Sequence, residues 1–142
     1  MHSVADLLRA KGDAVHTTTP EATALAAARK MNDHRIGALV VKEGERLAGI
    51  VTERDMLTRI IAGERPPSTT RVEHIMTRGV MTCTPETHLD ALRTLMREQR
   101  IRHVPVVDGG RLVGMVSIGD LNLAEAKNLT ETIGFLEAYI SS

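Results

Sequence analysis

The chain has 142 residues, enough for one compact domain or two half-domains sharing a core. Its 18 basic and 18 acidic residues cancel, which removes the global positive field that draws proteins to nucleic acid or to anionic membranes. Cys83 is the single cysteine, so an internal disulfide and a thiolate metal cluster are excluded, and a reducing cytoplasm is the expected setting.

The first residues, Met1 to Asp6, carry neither the basic region nor the long apolar run of a signal peptide. A lead-in, Val4-x-x-Leu7-Leu8, precedes an extended entry at residues 14–18. Thr19-Pro20-Glu21 reads as a helix start, with Thr as N-cap, Pro at the first helical position and Glu in the positive first turn. The helix that follows is slim, built from Ala24, Ala27, Ala28 and Met31. Two short strands come next, residues 38–41 and 47–52, joined by Glu43-Gly44-Glu45-Arg46, where glycine supplies the positive φ of a hairpin. Another helix begins near Arg54. Pro66-Pro67 then interrupts the chain as a linker.

The same order returns. Val72-x-x-Ile75-Met76 repeats the lead-in, and residues 80–83 repeat the extended entry. Thr84-Pro85-Glu86 repeats the helix start, before an apolar stripe of Leu89, Leu92 and Met96 at helical spacing. Strands at residues 104–107 and 112–117 flank Asp108-Gly109-Gly110-Arg111, and a helix begins near Ile118. Residues 15–60 align with residues 80–125 without a gap, and about 15 of roughly 46 aligned positions are identical where chance gives about three. The unit is β-α-β-β-α, and two copies imply a pseudo-twofold α/β domain with two related clefts. Past residue 126, Leu129, Ile133, Leu136 and Ile140 fall on one face of a C-terminal helix. Such a stripe packs on its own domain or forms a subunit contact.

The paired G-φ-V-[ST]-x-x-D segments, Gly49 to Asp55 and Gly114 to Asp120, are the sharpest repeated motif. Together with the strands at Arg35-Ile36-Gly37-Ala38 and Arg100-Ile101-Arg102-His103, they make the chain resemble the CBS-domain family, in which two tandem motifs form a Bateman module. The resemblance covers nearly the whole chain. It divides it into a first motif (residues 1–64), a linker (65–71), a second motif (72–127) and a C-terminal amphipathic helix (128–142). It is similar to small stand-alone bacterial CBS-pair proteins described as signal-transduction proteins.

On local chemistry alone, Thr52/Asp55 and Ser117/Asp120 read as helix caps, with the hydroxyl and the carboxylate each accepting backbone N–H groups. The resemblance adds a second role: Asp55 or Asp120 would accept from both ribose hydroxyls, and Thr52 or Ser117 would meet a phosphate or ribose oxygen. It also implies that Arg102 and His103 reach phosphate, for which a guanidinium is suited by its paired donors. Gly37-Ala38 stands at the equivalent place in the first repeat. The two clefts are therefore expected to differ, with the conventional phosphate site in the second. Phosphate in the first would fall to Arg54, Arg35 or a partner subunit. Thr17-Thr18 or Thr82-Cys83 mark the backbone expected beside adenine, with Ile36, Ile101 and Val104 nearby, and Ala38, Pro105 and Gly119 complete the expected ligand-binding residues. No aromatic platform is available there, because the chain has no Trp and its Phe135 and Tyr139 lie beside the C-terminus. That also argues against stacking of single-stranded nucleic acid.

The resemblance implies AMP, ADP, ATP or NAD as a regulatory ligand, with S-adenosylmethionine ranked below them, no metal, a homodimer, and an effector protein yet to be identified. His16, His34, His74 and His88 have no partner at ligand spacing. No phosphate-binding loop, dinucleotide fingerprint, nucleophile elbow or zinc-protease motif is present, so a sensor is expected rather than an enzyme. The main alternative is a structural dimerisation module with vestigial clefts; a weak nucleotide hydrolase ranks last.

Overall fold

The computed structural model describes residues 1–141. Helix α1 (Val4–Lys11) opens the chain, capped by Ser3, whose hydroxyl accepts from the Asp6 N–H while the Asp6 carboxylate accepts from the Ser3 N–H. Then come β1 (Thr17–Thr18), α2 (Ala24–His34), β2 (Ala38–Glu43), β3 (Arg46–Thr52) and a short α3 (Glu53–Asp55), which runs on as π-helical turns over Met56–Ile61. A 3-10 turn at Val72–His74 leads to α4 (Leu89–Gln99), β4 (His103–Asp108), β5 (Arg111–Ser117) and α5 (Ile118–Ser141).

The two α/β units match in register as well as in order. Strands β2 and β3 pair antiparallel from Ala38 opposite Thr52, and β4 and β5 from His103 opposite Ser117. Each hairpin has a register shift at the same repeat position, after Val41 in one and after Val106 in the other. Gly109 and Gly110 both have positive φ, as the tight second hairpin requires. The units differ at their entry. Strand β1 pairs parallel with β2, whereas the second entry is reduced to one parallel bridge between Cys83 and Val106.

Two expectations need correction. Thr19-Pro20-Glu21 and Thr84-Pro85-Glu86 do not start helices. Each closes a turn, with Ala22 N–H donating to Thr19 C=O and Thr87 N–H to Thr84 C=O, and proline at the second turn position, where its fixed φ is favoured. The helices begin four residues later than expected, at Ala24 and Leu89, capped by Thr23 and by His88. In addition, α5 continues unbroken through residue 127, so the C-terminal amphipathic segment is an extension of the second unit's last helix. Its stripe does not pack on its own domain. Leu129, Ile133, Leu136 and Ile140 are 47–80% exposed.

The lead-ins change places. Val4 and Leu7 are buried with Leu89, Leu92, Met96, Val104 and Val116 of the second unit. Val72, Ile75 and Met76 are buried with Ala24, Ala27, Met31, Leu39 and Val51 of the first. Matching hydrogen bonds fix both crossings: Val4 N–H donates to Thr87 C=O at 2.9 Å, and Val72 N–H to Ala22 C=O at 2.8 Å. Each core is therefore finished by a segment that precedes the other unit in the chain.

Candidate functional site

The end of β3 and the start of α3 build the first half of the site. Thr52 caps α3, its hydroxyl accepting from Asp55 N–H at 3.2 Å. Asp55 Oδ2 in turn accepts from Thr52 N–H at 2.9 Å and from the Thr52 hydroxyl at 3.1 Å. The capping box is thus complete, and it holds a buried carboxylate in a fixed orientation. The other oxygen, Oδ1, lies 3.9 Å from Arg59 Nε, beyond hydrogen-bond reach.

These residues open into a cleft of about 660 Å³, within the range of small-molecule sites. Gly37, Thr52, Glu53, Arg54 and Asp55 line it from the first unit, and Gln99, Arg100, Ile101, Arg102 and His103 from the second. Thr77, Gly79, Val80 and Met81 form another wall, delivered by the segment that follows the exchanged lead-in. Arg100 ends α4 in the left-handed conformation, φ 55°, which turns the chain into this wall. Gly37 admits the Glu53 side chain: a Cβ there would stand 3.0 Å from Glu53 Oε1.

Arg102 and His103 thus line the same cleft as Thr52 and Asp55, and not one centred on the second cap. Burial, above all, lowers the His103 imidazole below its ordinary range; Glu53 and Asp120 pull the other way, while Arg102 and Lys11 add to the lowering. The ring is therefore neutral near pH 7 in the free protein.

The remaining expected residues lie outside this cleft. Ser117 and Asp120 repeat the cap, with Asp120 Oδ2 accepting from Ser117 N–H at 2.9 Å. There the same oxygen also accepts from Lys11 Nζ at 2.8 Å. Burial raises the Asp120 carboxyl, but the Lys11 ammonium and the Ser117 donors outweigh it and hold the group below its ordinary range. Gly119 is exposed on the first turn of α5. Thr17 sits in β1, and its carbonyl accepts from Lys30. Ile36 packs partly buried against the first core, and Ala38 is buried. Thr82 is exposed. Cys83 N–H donates to Pro105 C=O at 3.0 Å, and its side chain and Pro105 are buried. Sequence reasoning missed Lys11, Glu53, Gln99 and Arg100. Glu53 and Arg100 adjoin motif residues, whereas Lys11 arrives only through the exchanged lead-in.

Among the described residues no helix is long and apolar enough to cross a membrane, and no group of three or more His, Cys, Asp or Glu could hold a metal ion.

Two capped strand-to-helix turns on matched hairpins, with a cleft lined from both units, define a tandem CBS pair. The family model described as "CBS domain" matches residues 4–62 and 72–127, and the chain belongs to the CBS-domain family. It is 40% identical over 147 residues to the mitochondrial CBS domain-containing protein CBSX3 of Arabidopsis thaliana, covering 97% of this chain and 71% of that protein. Among solved structures, a protein with CBS domains from Burkholderia ambifaria superposes with a TM-score of 0.84 at 43% identity, covering 86% of this chain and 92% of that one. The CBS domain pair of protein MJ0100, solved with 5′-methylthioadenosine and S-adenosyl-L-methionine, has a TM-score of 0.79 at 28% identity, covering 89% and 97%. CBS-domain pairs are regulatory modules that take adenosine-containing ligands.

Proposed function

We propose that this protein is a non-enzymatic sensor whose main site is the Thr52–Asp55 cleft, and that the ligand is an adenine nucleotide, AMP, ADP, ATP or NAD. One observation carries the reading: a single cleft holds a fixed carboxylate from the first repeat and the Arg102–His103 pair from the second. Asp55 Oδ1 is the acceptor for ribose hydroxyls. Arg102, His103 and Arg54 are donors for phosphate, a charge-assisted geometry. The base lies along Ile50, Val80 and Met81, an aliphatic wall that needs no aromatic ring. A ligand held from both repeats stabilises one arrangement of the two units, and the response it can drive is limited by its differential affinity for the two arrangements.

The protein works in the cytoplasm as a homodimer and reports occupancy to a separate effector protein. A second reading, a dimerisation module with vestigial clefts, is favoured by the exposed stripe on α5. A thermal-shift panel with AMP, ADP, ATP, NAD and S-adenosylmethionine separates the two. At a hundredfold excess over Kd the sensor gains about 2.7 kcal/mol, a rise of several degrees in Tm, and Asp55→Ala abolishes the rise. No shift with any of the five leaves the dimerisation reading.

A further inference from the structure

Arg59 stands behind the cleft, outside its lining. Its Nη1 donates to the Ile75 carbonyl at 2.9 Å and to the Met76 carbonyl at 3.1 Å. Its Nε lies 3.9 Å from Asp55 Oδ1, the oxygen that the cap leaves unused. One guanidinium thus reaches both the buried carboxylate and the segment that continues into the wall formed by Thr77, Gly79, Val80 and Met81. Next to it, Ile50 and Thr77 exchange backbone hydrogen bonds at 3.0 and 2.8 Å, which fasten the start of that wall to β3.

The two lead-ins account for an arginine here. The first is a helix, α1, in which the Leu8 carbonyl accepts from Gly12 N–H at 2.8 Å. The second is only a 3-10 turn that stops at His74. No further turn supplies donors to the Ile75 and Met76 carbonyls, the usual condition of a helix end, and Arg59 supplies them instead. It is carried by the π-helical turns over Met56–Ile61, a rare winding that often marks functional sites. At the same place in the second repeat stands Ala124, buried in the second core. The strut is therefore built only in the first unit.

Resting on the proposed nucleotide reading, we infer that Arg59 is a positioning residue of the cleft. It holds the Asp55 carboxylate and the neighbouring wall at a fixed spacing, and so sets the distance between the ribose contact and the base contact. It acts on the nucleoside end of the ligand. The phosphate end, with Arg54, Arg102 and His103, lies beyond its reach. The Arg59 side chain is 46% exposed, so its charge beside Asp55 counts for little alone. The paired bonds to Ile75 and Met76 give the guanidinium its fixed orientation, and the carboxylate is steadied by a group that is itself held.

Isothermal titration calorimetry with adenosine, AMP and ATP on the full chain tests this. Arg59→Met, which keeps the length and removes the donors, weakens all three by a common factor of about fivefold to twentyfold. Arg102→Met instead weakens AMP and ATP and spares adenosine. Arg59→Lys keeps the charge but offers a point donor in place of a planar fork, so its affinities fall between those of wild type and Arg59→Met. It also keeps the test open if Arg59→Met does not fold. In an Asp55→Asn background Arg59→Met costs less than in wild type, because part of what it holds is already gone. A loss that is equal in both backgrounds, a loss confined to the phosphorylated ligands, or no loss at all overturns the positioning role while the cleft reading stands. If wild type binds none of the three, both fall.

Discussion

Leu8 and Gly114 touch across the boundary between the two units: a Cβ added at Gly114 would stand 2.8 Å from Leu8 Cδ2. The repeat mate, Gly49, lies beneath Met76 and the Thr77 carbonyl, which a Cβ would approach to 2.6 Å. The first glycine of each G-φ-V-[ST]-x-x-D motif is thus needed for the exchanged lead-in to dock, and not for ligand contact.

Gly49→Ala is expected to cost about 1–3 kcal/mol, because the obstacle is backbone held by paired Ile50–Thr77 hydrogen bonds. Gly114→Ala should cost less, because a leucine side chain can turn aside. Urea denaturation of the two variants measures the difference; equal losses would show that the docking contacts do not set the requirement.

Asp55 caps α3, and one substitution separates that from its proposed contact with ribose. In Asp55→Asn an oxygen still accepts from Thr52 N–H, so stability should stay within about 1 kcal/mol of wild type. The charge proposed to hold a ribose diol is gone, and on that reading nucleotide affinity should fall tenfold or more. Thr52→Ala should instead lose about 1 kcal/mol of stability by removing the cap. Denaturation curves with and without ATP distinguish these outcomes.

In the proposed nucleotide site, His103 should couple ligand to protons. Its folded value lies below the ordinary 6.5, so the unfolded chain binds a proton first as pH falls. Ligand-free stability from this group is complete above that range and declines as pH drops below about 6.5. A bound phosphate favours the imidazolium, so nucleotide affinity should rise between pH 7.5 and 6. Calorimetry in buffers of different ionisation heat should detect proton uptake on binding, and His103→Gln should abolish it.

The acid limb belongs to α1. Backbone donors from His2 and Ser3, chiefly, bring the Asp6 carboxyl down to about 2, and Asp120 is also lowered. Both contribute stability that is present above the ordinary carboxylate range and is lost as pH falls through their folded values. Hydrogen exchange should show α1 loosening between pH about 4 and about 2, before the first unit's hairpin opens.

Burial pushes the Cys83 thiol up to about 11. The native protein should therefore resist a thiol reagent such as dithionitrobenzoate at pH 8, where an exposed cysteine reacts readily. One equivalent should react once the chain is unfolded in guanidinium. Rapid labelling of the folded protein would mean that the second core opens easily at the bridge to Val106.

Much of this was legible in the residues. Short apolar runs and the turns at Gly44 and Gly109-Gly110 marked the hairpins, and the spacing of Thr52 and Asp55 marked a cap that the structure contains. Thr19-Pro20 misled because proline suits the second position of a turn as well as it suits a helix start. The lead-ins were visible as repeats, but similarity between two segments does not say which core each will enter. The reach of Lys11 follows from that crossing and the company of Arg102 from the meeting of the two units at one cleft, so local pattern could not reveal them.

The crossing also changes what counts as a piece of this protein. A cut in the linker would not release two independent modules, because each half would carry away a lead-in that fits the other and lack the one that fits itself. The fragments are complementary halves of a clasp. Folding of either should depend on meeting its counterpart, which would make this small domain a natural starting point for a reporter that assembles from two chains.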